Sequence, residues 1–250
     1  METIQSFDFR HRIGYFICDN GSSNTTCLRA LAEALSTEFG VNFNPTHRRI
    51  RCSGHIINLS LEAFLFVSSQ EALKAAITAI DTAVNEGSDI TVVEALQQQL
   101  KSRGKGKGKA QDDYSGWRSI GPMGKLHNIT VYIRSSTLHS DAWLELAGKA
   151  LGIDNTTRWN SWFKLLKVAI KKQSELMMFM QQHHKALGDD ILTHADWEVL
   201  KMTAEFLEPF WQATQVQQKE WASLDQALYN MDILLKHMED SKVNLIPYTL

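Results

Sequence analysis

The chain is short of cysteine, of an excess of either charge, and of long apolar runs. Its three cysteines, Cys18, Cys27 and Cys52, are too few for a disulfide framework in 250 residues and predict reduced thiols in an intracellular protein. Its 26 basic and 28 acidic residues exclude a globally basic chain, although a local basic patch is enough to bind nucleic acid. No run approaches the roughly 20 apolar residues of a membrane span, and the polar N-terminus lacks a signal-peptide pattern. We therefore expect a soluble protein with no membrane partner.

What is present in the first 70 residues is an alternation of short apolar runs and amphipathic segments. The pattern predicts strands at 13–18 and 48–52 and helices at 24–39 and 55–66, with Gly40 ending the first helix. The order strand, helix, strand, helix favours a layered α/β piece. Because two strands do not make an independent sheet, we expect residues 1–70 to hold only part of a sheet.

Residues 71–139 are predicted to form a helix, at 72–83, followed by a flexible linker. The linker contains the Lys/Gly-rich stretch "KSRGKGKGKAQDD" at 101–113, which has too few apolar residues to bury a core. Its positive charge allows contact with phosphates, but a solvated loop is the simpler interpretation.

Residues 140–250 are predicted to be all-helical. One continuous helix is expected to end at Gly188, and a second is expected to start at Thr193 with Asp196 in a capping-box position. Pro209 is expected to kink or break that second helix. A further amphipathic helix is predicted over 224–238. The fold class is thus α-rich α/β, with a few strands before a mostly helical domain.

The stretch "IGYFICDNGSSN" at 13–24 places Asp19 directly after an apolar strand. Two interpretations are open. The sequence Asp-Asn-Gly favours a turn, because Asp and Asn side chains accept hydrogen bonds from the backbone N–H groups of a turn. A carboxylate at the end of a buried strand also has the position of a metal ligand. On the residues alone, the turn is the simpler interpretation.

Two further motifs are candidates for chemistry. Cys52 and His55 form a Cys-x-x-His half-site, but structural zinc needs about four ligands, so we interpret the pair as a hydrogen-bonded link from strand to helix. Arg158 and Trp159 place a cation beside an aromatic ring at a helix start, a pair able to clamp a phosphate and stack on an unpaired base. The alternative is that Trp159 and Trp162 are core residues.

Four segments in order carry a family resemblance. They are "IGYFICDNGSSN", "RRIRCSGHIINLSLEAFLF", "GPMGKLHNITVYIRSS" and "DNTTRWNSWFKLL". Together they resemble the hAT superfamily of DNA transposases, especially its fungal members, over about residues 1–240. The resemblance implies an RNase H-like catalytic core, partial here, that is interrupted by a helical insertion. It also implies a DDE triad of carboxylates that binds two Mg²⁺ or Mn²⁺ ions.

The resemblance assigns roles to the motifs. Asp19 matches the second aspartate of the triad, as a catalytic and metal-binding residue. Cys52 and His55 match the Cys-x-x-His motif of the family. Arg158 and Trp159 match its Arg-Trp motif, in which the tryptophan stacks where a base is flipped out during hairpin formation. The implied partner is DNA at transposon ends, the implied location is the nucleus, and the full-length form is expected to be a homo-oligomer.

The chain also departs from the family pattern. The first aspartate of the triad is expected upstream of residue 13, and the final glutamate after the helical insertion. Asp8 and Glu239 do not fit those positions. We therefore expect a fragment of a hAT transposase, inactive by itself. The alternatives are a domesticated, non-enzymatic module that binds DNA or protein, and an α-rich protein of another role with Asp19 as a turn residue.

Overall fold

The computed structural model describes residues 2–7, 9–19, 22–66, 117–118, 120–152, 159–219 and 223–245. These residues are mostly helical with one two-stranded parallel sheet, which confirms the predicted fold class. They form two compact units, one up to Leu59 and one from Ser60 onward, named here the sheet unit and the helical unit. The predicted domain boundaries stay predictions. The predicted helix at 72–83 and linker at 101–113 lie outside the described residues.

The described residues of the sheet unit form four elements and the start of a fifth, and the elements from β1 onward have the predicted order. The elements are α1 (Glu2–Ser6), β1 (Phe16–Cys18), α2 (Ser22–Phe39), β2 (Arg49–Arg51) and the start of α3 (Ser53–Phe66). The strands pair in parallel, with Phe16 opposite Arg49 and Cys18 opposite Arg51, so α2 is the crossover between them. Gly40 follows α2 with a φ of 65°, a left-handed conformation that glycine adopts without strain. The two strands are shorter than predicted, at three residues each.

A small apolar core supports the sheet unit. Leu28 and Leu35 of α2 are seven residues apart, hence on one face of the helix, and both are buried. Phe43 is buried as well and meets the edge of the Phe16 ring at 5.7 Å between centroids. Ile17 points to the other side of β1 and is 70% exposed. The two faces of this short sheet are therefore covered unequally.

The helical unit contains the end of α3 and seven further α-helices among its described residues. They are α4 (Pro122–Arg134), α5 (Thr137–Ala147), α6 (Trp159–Lys171), α7 (Gln173–Gln182), α8 (His184–Leu187), α9 (His194–Gln217) and α10 (Leu224–Leu245), with a 3₁₀ turn (Gly188–Asp190) after α8. The prediction of a single helix ending at Gly188 is wrong. This segment contains three helices, α6, α7 and α8, which are separated at Lys172 and His183. The interruptions let α6 and α7 each turn an apolar face inward, and Trp162 and Phe179 are fully buried.

The start of α9 confirms the predicted cap. The Thr193 hydroxyl accepts the backbone N–H of Asp196 at 3.2 Å, and the Asp196 carboxylate accepts the N–H of Thr193 at 2.8 Å. No break occurs at Pro209, because α9 runs on to Gln217. Leu207 and Phe210 flank the proline and are buried, so packing offsets the one backbone hydrogen bond that proline removes.

Large aromatic residues fill the core of the helical unit. The largest fully buried side chains are those of Trp143, Trp159, Trp162 and Trp197. Gly124 in α4 allows the backbone of Trp117 to approach closely, since a Cβ at this position would overlap the Trp117 carbonyl. No helix in the described part of the chain has both the length and the apolarity to cross a membrane.

Candidate functional site

Asp19 lies at the carboxyl end of β1, where local hydrogen bonds hold it. Its carboxylate accepts the side-chain N–H of Asn24, in the first turns of α2, at 2.6 Å. Its backbone carbonyl accepts a guanidinium N–H of Arg49 in β2 at 2.6 Å. A second N–H of Arg49 reaches the Thr25 hydroxyl at 2.7 Å. Asp19 is therefore tied to both neighbouring elements, α2 and β2, and stays exposed.

Cys52 and His55 lie at the same edge of the sheet. Cys52 follows β2, and its backbone N–H donates to the carbonyl of Cys18 at 3.0 Å. Its own carbonyl accepts the N–H groups of His55 and Ile56 at 3.1 Å, which starts α3. The parallel register thus brings the Cys-x-x-His motif next to Asp19 at the carboxyl ends of the strands. The link from strand to helix is made by backbone groups, and all three cysteines are free thiols.

The donor set at this edge does not fit a two-metal centre. Two divalent ions about 4 Å apart need several carboxylates for octahedral coordination. Within the described ranges, no three His, Cys, Asp or Glu side chains gather as metal ligands. Asp19 is one carboxylate, and its Oδ1 already accepts the amide of Asn24. The described residues at this edge are therefore an incomplete set of ligands for a pair of ions.

Trp159 lies in the core of the helical unit. It is 1% exposed, and its ring packs on Phe163 at 5.9 Å and on Trp211 at 6.4 Å between centroids. In this conformation its ring has no open face for a base. Arg158 lies outside the described residues. The role that the resemblance gives to this pair stays a prediction.

A comparison with models of known protein families covers much of the helical unit. A model of the ZBED1 RNase-like helical domain matches residues 50–206, more than half of the chain, from β2 to α9. The chain belongs to the ZBED1 RNase-like helical domain family. This domain is a region derived from hAT transposases, which confirms that level of the resemblance. No curated protein and no solved structure matches the chain.

Sequence reasoning missed a cluster of aromatic and imidazole rings in this domain. Tyr132 at the end of α4 stacks on His139 of α5 at 4.2 Å between centroids. Its hydroxyl lies 3.2 Å from Nδ1 of His183, in the break between α7 and α8. Burial lowers the pKa of His183, and the nearby His139 lowers it further. The three residues carry no local motif, because His139 and His183 are far apart in the chain.

The cluster predicts that stability falls in mild acid. The unfolded chain binds a proton at His183 near pH 6.5, whereas the folded protein binds it only at lower pH. The contribution of neutral His183 is therefore complete above about pH 6.5 and is lost as the pH falls towards its folded pKa. We expect a lower urea midpoint at pH 5.5 than at pH 7.5, with a smaller difference in His183→Gln.

The control for this prediction is His194→Gln, which changes an exposed histidine at the start of α9. It should leave the pH difference as in the wild type. Equal differences in the wild type and His183→Gln would show that another group causes the acid sensitivity.

Proposed function

We propose that the protein derives from a fungal-type hAT DNA transposase and acts on DNA, with Asp19 in the position of a catalytic aspartate. The observation that carries the proposal is the placement of Asp19 at the carboxyl end of a parallel strand, exposed and held by Asn24 and Arg49. RNase H-like transposases place a carboxylate at such a strand end. Membership of the helical-domain family supports the same origin.

The proposed activity of the chain by itself is binding of DNA without cleavage. In a complete transposase, Mg²⁺ or Mn²⁺ held by three carboxylates activates water and stabilises charge on the phosphate. Asp19 corresponds to one of those carboxylates, and the described residues beside it supply no further set of ligands. We propose that the chain does not hold these ions stably. As an internal fragment of such an enzyme, it would contribute Asp19 to a larger site.

A nicking assay tests this part of the proposal. Purified chain is incubated with supercoiled plasmid and Mg²⁺ or Mn²⁺, and nicked circles are quantified on a gel. We expect no nicking that depends on Asp19, because one carboxylate does not hold two ions in octahedral geometry. Asp19→Ala and the control Asp141→Ala, an exposed aspartate in α5, should behave like the wild type. Nicking that is lost only in Asp19→Ala would contradict the prediction.

The proposed partner is DNA at transposon ends, bound in the nucleus, and the proposed full-length form is a homo-oligomer. Binding of the chain to duplex and hairpin oligonucleotides, measured by fluorescence anisotropy against salt concentration, tests the DNA contact. Phosphate contacts make the affinity fall steeply as salt is raised. Absence of binding to both forms of DNA at low salt would refute the proposal.

The second candidate is a domesticated module that binds DNA or a protein partner and has no enzymatic role. It is favoured by the buried aromatic core of the helical unit, together with the finding that no three metal-ligating side chains gather among the described residues. The two candidates differ in the role of Asp19. Asp19→Ala should impair DNA cleavage by a longer protein that supplies the other carboxylates, but leave the function of a domesticated module unchanged.

A further inference from the structure

An open cleft of about 1020 Å³ lies in the helical unit between the end of α5, the second half of α6 and the middle of α9. Its lining includes five lysines, which are Lys149, Lys167, Lys171, Lys172 and Lys201. Two acidic residues, Glu205 and Glu208, also line it. Since the whole chain has a net charge of −2, the cleft is a local concentration of positive charge.

Ion pairs hold three of the five lysines. Lys167 pairs with Glu208 at 2.7 Å, Lys172 with Glu175 at 2.9 Å, and Lys201 with Glu198 at 3.1 Å. The remaining two lysines of the cleft, Lys149 and Lys171, are not held in this way within the described part of the chain.

Lys149 and Lys171 are exposed and make no ion pair or hydrogen bond with any residue that the structure describes. Lys149 follows α5 and Lys171 ends α6, so the two ammonium groups come from different elements that face one cleft. An ammonium group has three donors and no acceptor. The cleft therefore presents two uncommitted cations to an anion.

The rest of the cleft wall combines apolar surface with acceptors. Ala147, Val168 and Ala204 supply apolar contacts. Pro209 has no N–H, so the carbonyl of Glu205, four residues earlier in α9, lacks its usual helical donor. Both residues line the cleft. The backbone carbonyl and the carboxylate of Glu205 are thus acceptors next to the lysine donors.

We propose that this cleft binds a nucleotide, either free or as part of a nucleic acid strand. The phosphates lie at Lys149 and Lys171, because charge-assisted hydrogen bonds to phosphate oxygens are among the strongest that a lysine makes. The base lies against the apolar wall and donates its exocyclic amino group to Glu205. The volume is at the upper end of small-molecule sites, which measure about 300–1000 Å³, so it has room for a nucleotide. This inference does not rest on the proposed function.

Calorimetric titration at low salt tests the inference with three probes: ATP, tripolyphosphate and the single-stranded oligonucleotide dA10. We expect ATP to bind with one-to-one stoichiometry and more tightly than tripolyphosphate. The variant Lys149→Gln/Lys171→Gln should bind ATP at least about tenfold more weakly, since the loss of even one charge-assisted hydrogen bond costs about tenfold in affinity. The matched control Lys185→Gln/Lys236→Gln changes two exposed lysines outside the cleft and should differ less than twofold from the wild type.

The outcomes separate the two sources of the nucleotide. Binding of dA10 but not of ATP, with the same loss in the Lys149 and Lys171 variant, assigns the cleft to a strand. Three results overturn the inference: no binding of either nucleotide probe, tripolyphosphate binding as tightly as ATP, or equal losses in the two double variants. The ATP titration involves no DNA, so its failure is distinct from a failure of DNA binding. Far-UV circular dichroism verifies that both variants fold.

Discussion

Replacing Trp159 by alanine is expected to lower the free energy of unfolding by about 3–5 kcal/mol, the usual cost of removing a buried tryptophan. The indole is 1% exposed and packs against Phe163 and Trp211. Its removal leaves a cavity at the start of α6 that the surrounding helices fill only in part. Urea denaturation of the full chain, followed by circular dichroism at the helix band, measures the loss.

Trp211→Ala is the matched control, because it removes the same ring from the adjacent α9. Trp211 is only half-buried, and Lys164 lies over its face at 5.3 Å from the centroid. We expect a smaller loss, about 1–2 kcal/mol. Equal losses for the two variants would contradict the placement of Trp159 in the core.

The same residue separates a core role from the DNA role that the resemblance implies. Trp159→Phe keeps an aromatic ring in the core and should lose less stability than Trp159→Ala. If its affinity for hairpin DNA falls while its free energy of unfolding stays close to the wild type, Trp159 acts on the flipped base. If both variants lose DNA binding only in proportion to their loss of stability, its role is packing.

Replacing Arg118 by methionine is expected to cost about 3 kcal/mol of stability. Asp190 is 3% exposed, and its two carboxylate oxygens accept the Nε–H and an Nη–H of Arg118 at 2.8 Å each. Asn128 donates a third hydrogen bond at 2.8 Å. The hydrogen bond to Asp190 raises the pKa of Arg118, so the guanidinium stays charged.

Breaking a buried pair costs about 3–5 kcal/mol because it leaves a charge without compensation. The lower end applies here, since the side chain of Arg118 is 36% exposed. Urea denaturation again measures the loss. The double variant Arg118→Met/Asp190→Asn also removes the charge of Asp190. It should recover at least half of the free energy of unfolding that Arg118→Met loses.

An ion pair at the surface provides the reference for this loss of stability. Lys201→Met breaks the partly exposed contact with Glu198 and should cost no more than about 1 kcal/mol. Should Arg118→Met cost as little as Lys201→Met, Asp190 does not carry a buried charge that depends on Arg118.

Local chemistry made much of the fold predictable from the sequence. The left-handed Gly40 ends α2 because glycine adopts that conformation without strain. Thr193 and Asp196 cap α9 through groups three residues apart. The wrong prediction concerns packing, since Lys172 and His183 interrupt a pattern that looks like one helix. Of the kink or break expected at Pro209, the break does not occur, because α9 continues to Gln217.

The candidate sites follow the same division. Asp19 follows the first predicted strand and Cys52 is the last residue of the second, so the sequence indicates their position at strand ends. It does not indicate the parallel register that makes them neighbours. The approach of His139 to His183 has no local signal. The cleft that Lys149 and Lys171 line has no local signal either, because its walls come together only in the folded protein.

The residues alone were enough to establish the order of strands and helices over residues 13–66 and the hAT-related origin, because periodicity, caps and motifs act over a few neighbouring positions. Tertiary packing determines the rest. It buries Trp159, which the sequence left open to either a core or a DNA-binding role. Packing also buries Asp190 beside Arg118 and forms the cleft that Lys149 and Lys171 line. Each of these features joins segments that are distant in the chain. The segments meet only when their apolar faces are buried together.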